Sequence, residues 1–191
     1  MEEAHLKKDV VESKFNQGSQ KRRKPKKLPV AISEEEFKRL LKHTYKKRHK
    51  AAFILGFGSG LRISEIIHLE KRHINFKERT ILVEQGKGSK DRIVPLAKGF
   101  KTKYLRYIPV NRGPRALERS FKRAAERAGL LKEKPPLHFH SLRHGFATTA
   151  VSHSIPIHHV RTLMGHTNIA TTNVYLEMNP KEALKSYEER F

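Results

Sequence analysis

Between residues 134 and 176 the chain has no Asp or Glu, yet it carries seven His (138, 140, 144, 153, 158, 159 and 166) and two Arg (143 and 161). A stretch that keeps carboxylates out while concentrating imidazole and guanidinium groups suits an anion, which a carboxylate would repel. Zinc is the first alternative, because His138 and His140 share a face if extended and His140 and His144 share one on a helix. His-only zinc sites orient their ligands with nearby carboxylates, and this stretch supplies none. It also lacks the clustered acids that hold Mg²⁺ in a two-metal phosphodiesterase. No metal is therefore expected. Breaking a phosphodiester without metal takes a nucleophile, cations on the non-bridging oxygens and an acid for the departing 5′ oxygen. All three kinds of group are present. The Gly86-Lys87 pair lacks the preceding glycine and the following Ser or Thr of a phosphate-binding loop, which argues against nucleotide hydrolysis and leaves no cofactor to expect.

The whole chain is built for polyanions. Its 191 residues hold 41 Lys and Arg against 19 Asp and Glu, a formal charge of +22. Nucleic acid is the leading partner on that ground and an anionic membrane surface the distant second. No apolar run is long enough to span a bilayer, and residues 1–20 are too polar for a signal peptide, so a cytoplasmic protein is expected. The absence of Cys excludes a disulfide framework, thiolate zinc ligands and a Cys nucleophile.

The elements that must position these groups follow from pattern. Residues 1–27 read as a flexible basic arm ending in Lys21-Arg22-Arg23-Lys24-Pro25-Lys26-Lys27. Ser33 and Glu36 form a capping box ahead of Phe37, Leu40 and Leu41. Residues 51–57 are apolar nearly all round, as in a buried helix, and Gly58-Ser59-Gly60 breaks them before a second helix that carries Arg62 near its start and Glu65 in its first turns. Three β-prone runs, 74–76, 80–84 and 92–96, predict an antiparallel meander with Lys87 and Lys90 in the turn of its second hairpin. A basic amphipathic helix is predicted over 116–128, and short helices over 142–152, 157–164 and 169–177. Residues 97–113 give no clear pattern. The class is α+β, mostly helical, with a small three-stranded antiparallel sheet. The boundaries are an arm over 1–27, a catalytic domain over 28–178 and a tail over 179–191.

Five separated segments then stand in order: Gly60-Leu61-Arg62-Ile63-Ser64-Glu65, Gly86-Lys87-Gly88 with Arg92-Ile93-Val94-Pro95-Leu96, His140-Ser141-Leu142-Arg143-His144, Leu163-Met164-Gly165-His166, and Tyr175. In order and spacing this resembles the catalytic domain of the tyrosine site-specific recombinases, nearest the Xer-type and integrase branch. The resemblance implies that Tyr175, nine residues after His166, attacks the scissile phosphorus and holds the 3′ end as a phosphotyrosine. It implies that Arg62 and Arg143 grip the non-bridging oxygens, that Lys87 protonates the leaving 5′ oxygen, and that His140 and His166 assist proton transfer or bond the phosphate. Glu65 would brace Arg62 and its neighbours. Lys21, Arg22, Arg23 and Lys24 of the arm, with Lys90 and Arg92, are expected on the DNA.

Recombinases of this type carry an N-terminal helical domain that closes a clamp on DNA, whereas only 27 arm-like residues stand here, which reads as either a fragment or a minimal enzyme. The tail, with Tyr187 and Phe191 as anchors, is expected to dock on a neighbouring protomer within a tetramer on paired double-stranded DNA sites. Two rivals remain: a type IB topoisomerase with the same chemistry but no partner exchange, and a non-catalytic DNA-binding module in which residues 142–164 read the major groove.

Overall fold

The computed structural model describes residues 29–84 and 91–165. The chain enters through helix α1 (Glu34–Lys42), whose capping box is complete: the Glu36 N–H donates to Ser33 Oγ at 3.2 Å and the Ser33 N–H to Glu36 Oε2 at 2.7 Å. Helix α2 (Lys47–Gly58) follows with Ala51 through Gly56 buried without a break, so it forms the central pillar. After Gly60 comes the short α3 (Ile63–His68). A single turn of 3₁₀ helix leads into an antiparallel sheet in the order β1 (Ile74–Asn75), β2 (Thr80–Val83), β3 (Arg92–Pro95). The predicted strands are all present, each a residue shorter than its apolar run.

The sheet's register sorts its faces. Ile81 pairs with Val94 on the buried face, while Leu82 pairs with Ile93 on the outward one. Because side chains alternate, Arg92, two residues before Val94 and paired with Val83, also points inward.

The segment that gave no pattern contains a 3₁₀ helix over Thr102–Tyr107, pinned by buried Phe100, Ile108 and Val110. Helix α4 (Pro114–Arg127) starts two residues before the predicted one, with proline in its first turn, and buries Leu117, Phe121, Ala124 and Ala125. One turn, α5 (Leu130–Glu133), follows the left-handed Gly129. Helix α6 (His140–Ser152) then lies against α2, and α7 (Ile157–Met164) closes on α6 through Ala147, Ala150, Val160 and Met164. Edge-to-face contacts of Phe53 with Phe121 and Phe139, at 5.8 and 5.7 Å between centroids, join α2, α4 and the start of α6 in one core. Among the described residues no helix is long and apolar enough to cross a membrane. The arm, the tail and the predicted helix over 169–177 lie outside the described residues.

Close approach explains a glycine in the middle of α6. A Cβ on Gly145 would sit 2.5 Å from the Ile32 carbonyl oxygen and 2.8 Å from the Phe57 ring. The carbonyl belongs to backbone that is itself tied to α6, by the Ile32 N–H to Ser141 O bond, and has little freedom to retreat. Gly145→Ala gains up to about 1 kcal/mol of helix propensity but overpacks the crossing by about 1–3 kcal/mol. A net loss of stability is expected, read as a fall of a few degrees in the thermal midpoint.

Candidate active site

Three elements deliver the chemistry. Arg62 is the residue before α3, on backbone bent sharply by Gly60, whose φ of +67° lies in the left-handed region. His140 and Arg143 occupy the first turn of α6. Helix α7 brings up its C-terminus, closed by left-handed Gly165.

Glu65 sits at the junction. Its Oε2 accepts from the Arg62 N–H at 2.7 Å, which satisfies an unpaired donor at the start of α3. Its Oε1 accepts from Arg62 Nη1 at 2.8 Å, and both oxygens accept the parallel fork of Arg92 Nη1 and Nη2, each at 2.9 Å. Arg143 Nη1 lies 4.0 Å from Oε2. Burial alone would raise the Glu65 carboxyl, but the hydrogen bonds from Arg92 and Arg62 override it and hold the group down at about 2.

The same three arginines grip the end of α7. Arg92 Nε donates to Leu163 O at 2.9 Å, Arg143 Nη2 donates to Met164 O, and Arg62 Nη2 donates to Gly165 O at 3.2 Å. Three successive carbonyls, which an α-helix leaves without internal partners, each take one guanidinium. Arg143 also donates to the carbonyl of Gly60, tying α6 to the bend that sets Arg62. A Cβ at Gly60 would meet the Phe146 ring at 2.5 Å, so both φ and space require glycine there.

His140 stands exposed at the mouth of this cluster. Its imidazole is held below the ordinary histidine range, first by partial desolvation and then by His138, Arg143 and Arg62, with Glu118 opposing them. It is therefore neutral at pH 7 and able to accept a proton. Glu118 of α4 accepts from the Phe139 N–H at 3.2 Å, fixing the start of α6 where His140 emerges. The His138 ring centre lies 6.0 Å from that of His140 and 6.4 Å from that of His144, and no group of three or more His, Asp or Glu among the described residues is disposed to hold a metal.

The fold thus brings together Arg62, Glu65, His140 and Arg143. Arg92, expected on the DNA, is instead 9% exposed, with Nε, Nη1 and Nη2 all engaged inside the protein. Its inward register on β3 is the cause, and its role is that of a brace. Sequence reasoning also missed Glu118 and the α7 carbonyls. Glu118 had a signal, as a lone acid on the inner side of a basic helix, but the carbonyls had none, since every residue has one. Lys87, Lys90, His166, Tyr175 and Lys21 through Lys24 lie outside the described residues.

Removing Glu65 leaves Arg92 buried without a counter-charge, which costs about 3–5 kcal/mol in comparable pairs. Glu65→Gln should lower the thermal midpoint by several degrees at pH 7. The folded carboxyl lies at about 2, below its ordinary 4.5, so its contribution is fully present above the unfolded value and is lost as pH falls through the folded one. The gap between wild type and Glu65→Gln in melting experiments should therefore narrow from pH 4.5 downward; a gap that stays constant would show that Glu65 is not held ionised by its partners.

The model of the phage integrase family matches residues 31–182. The tyrosine recombinase XerA of Thermococcus onnurineus is 33% identical over 186 residues, covering 86% of this chain and 64% of that protein. XerC of Mannheimia succiniciproducens is 32% identical, covering 86% and 62%. The chain therefore spans somewhat less than two thirds of the length of these curated relatives. Among solved structures, XerA recombinase superposes with a TM-score of 0.70 at 25% identity, covering 87% of this chain and 65% of that one. XerH bound to its palindromic difH substrate gives 0.68 at 21%, covering 84% and 53%, a likeness of fold. A family match over most of the chain, on a fold shared with XerA, shows that this chain belongs to the phage integrase family, that of the tyrosine recombinases.

Proposed function

We propose that the chain is the catalytic part of a site-specific recombinase that cleaves and rejoins double-stranded DNA through a 3′-phosphotyrosine, without metal or ATP. The observation that carries this reading is the convergence of Arg62 and Arg143 on one carboxylate, with His140 one turn before Arg143 on α6. In this structure both forks are engaged internally, Arg62 on Glu65 and the Gly165 carbonyl and Arg143, 4% exposed, on the carbonyls of Gly60 and Met164; in the proposed reaction they exchange those carbonyls for the non-bridging oxygens of a phosphodiester, whose charge grows in the transition state. Among relatives of fold, XerH has been solved on its DNA substrate before and after cleavage, which supports DNA as the partner.

In the proposed reaction the phenol oxygen of Tyr175 attacks phosphorus as its proton passes to His140. The bond from phosphorus to the 5′ oxygen breaks, and that oxygen takes a proton from Lys87. His166 donates to the same phosphate. The bond energy is kept in the phosphotyrosine, so attack by a 5′ hydroxyl from a partner strand reverses the steps and releases Tyr175. Strand exchange in a tetramer on paired sites is the proposed setting, with the 179–191 tail and the 21–24 arm as contacts to neighbouring protomer and DNA. A purely binding module gives no reason for Arg62, Lys87, His140, Arg143, His166 and Tyr175 to stand in the order and spacing of the family.

The decisive experiment is incubation with suicide DNA substrates in EDTA, followed by a denaturing gel. Wild type should form a covalent adduct, and Tyr175→Phe should form none while retaining most DNA binding; a wild type that gives no adduct on any cognate site defeats the reading. Because the neutral imidazole of His140 is the active form, the rate of adduct formation at subsaturating DNA, which reports the free enzyme, should decline as pH falls through a value below the ordinary histidine range. His140→Gln should abolish that limb and slow cleavage by about 10²-fold or more.

A further inference from the structure

The stretch that is free of acids in sequence is not free of them in space. Residues 134–176 hold no Asp or Glu, yet the fold brings the Glu118 carboxylate of α4 to the start of α6. The Phe139 N–H donates to both of its oxygens, each at 3.2 Å. Phe139 immediately precedes His140 and is itself buried in the core. Glu118 leaves α4 beside fully buried Leu117 and one turn before Phe121, whose ring centre lies 6.2 Å from that of Phe139. The aromatic core that joins these rings therefore holds the carboxylate in place.

A carboxylate here is at odds with its surroundings, since it repels the anion that Arg62, His140 and Arg143 are to receive. The hydrogen bond to Phe139 accounts for an acceptor at this point but not for a charge, because an amide oxygen would accept as well. The charge acts on His140. His138 faces that imidazole from the preceding loop, with ring centres 6.0 Å apart, and His144 lies one turn further along α6 near His138. Arg143 faces it from α6 and Arg62 from the start of α3. His138 and the two arginines disfavour the protonated ring, and Glu118 opposes them. Glu65, the other carboxylate of the site, is taken up by Arg62 and Arg92. Glu126, the other acid of α4, is exposed two turns beyond Glu118.

We propose that Glu118 is a positioning residue for His140: it fixes the turn from which the imidazole emerges and stabilises the imidazolium that forms as the phenol proton of Tyr175 arrives. The assignment rests on the reading of His140 as proton acceptor in DNA cleavage and adds the group that makes it an effective one. The proton goes from Tyr175 to His140 and no further. A base ringed only by cations stays neutral but accepts a proton weakly, and the efficiency of a general base follows its proton affinity. A negative charge on the side of α4 restores that affinity from outside the cluster that holds the phosphate.

Glu118→Gln is the test, because the amide keeps an oxygen for the Phe139 N–H and removes the charge. The first readout is the His140 titration by NMR in the DNA-free protein, its signal identified by its loss in His140→Gln. In Glu118→Gln the ring should titrate at lower pH than in wild type. It should not move in Glu126→Gln, which removes the same charge from another part of α4, and Glu118→Asp should lie nearer wild type than Glu118→Gln does. The second readout is adduct formation on suicide DNA. At subsaturating DNA the low-pH limb should move down with the titration. Above the limb the single-turnover rate at saturating DNA should fall about two- to fivefold, the effect of a charge pair near the surface, while duplex affinity by fluorescence anisotropy is not weakened. A titration that does not move in Glu118→Gln overturns the assignment alone, as does a limb that stays in place while the titration moves. A wild type that forms no adduct overturns the function proposed above and the part of Glu118 in it.

Discussion

A single carboxylate organises this protein's chemistry. Glu65 receives the Arg62 backbone, the Arg62 side chain and the full fork of Arg92, with Arg143 at 4.0 Å. Three guanidiniums gathered without it would repel one another and leave the cluster. With it they stay together, and the cluster keeps a surplus of positive charge. A buried ion cluster of this sort holds only when its hydrogen bonds are nearly all made, and here the carbonyls of Gly60, Leu163, Met164 and Gly165 complete them.

Those carbonyls give the cluster its second consequence. The end of α7 is held by Arg62, Arg92 and Arg143, so the α7 terminus and the arginine forks are set by one network. Arg92 joins β3 to the same network. The sheet, α3, α6 and α7 are thus registered against each other near Glu65 by directional bonds, while the aromatic contacts of α2, α4 and Phe139 hold the frame behind them.

The large positive charge is divided by place. Cations near Glu65 are bonded internally and fixed, whereas those along α4 are exposed and, in Arg115, Arg119 and Arg123, without a bond among the described residues. Cations held together in a cluster suit a compact anion. Exposed ones suit a long anion whose contacts are individually weak and additive.

Local patterns were enough to read much of this from residues alone. Ser33 with Glu36 placed α1, the apolar run 51–57 placed the buried α2, and three β-prone runs placed the meander. The order of motifs supplied the family. Each of these depends on interactions within a few residues, or on spacing that the chain itself preserves. The fate of Arg92 could not be read that way. Ile93 and Val94 are both apolar, so the strand's own pattern does not say which face is buried, and only pairing of Ile81 with Val94 turns Arg92 inward. Arg115, Arg119 and Arg123 of α4 could be counted in the sequence, but that none of them is bonded among the described residues could not. Gly145 likewise reads as an ordinary weakness in a helix until the Ile32 carbonyl is found beside it. Sequence determined which groups exist and which elements carry them, because propensity and periodicity are local. Tertiary structure decided which cations are consumed inside the protein and which are left for a ligand, because that depends on where distant backbone carbonyls and one carboxylate come to rest.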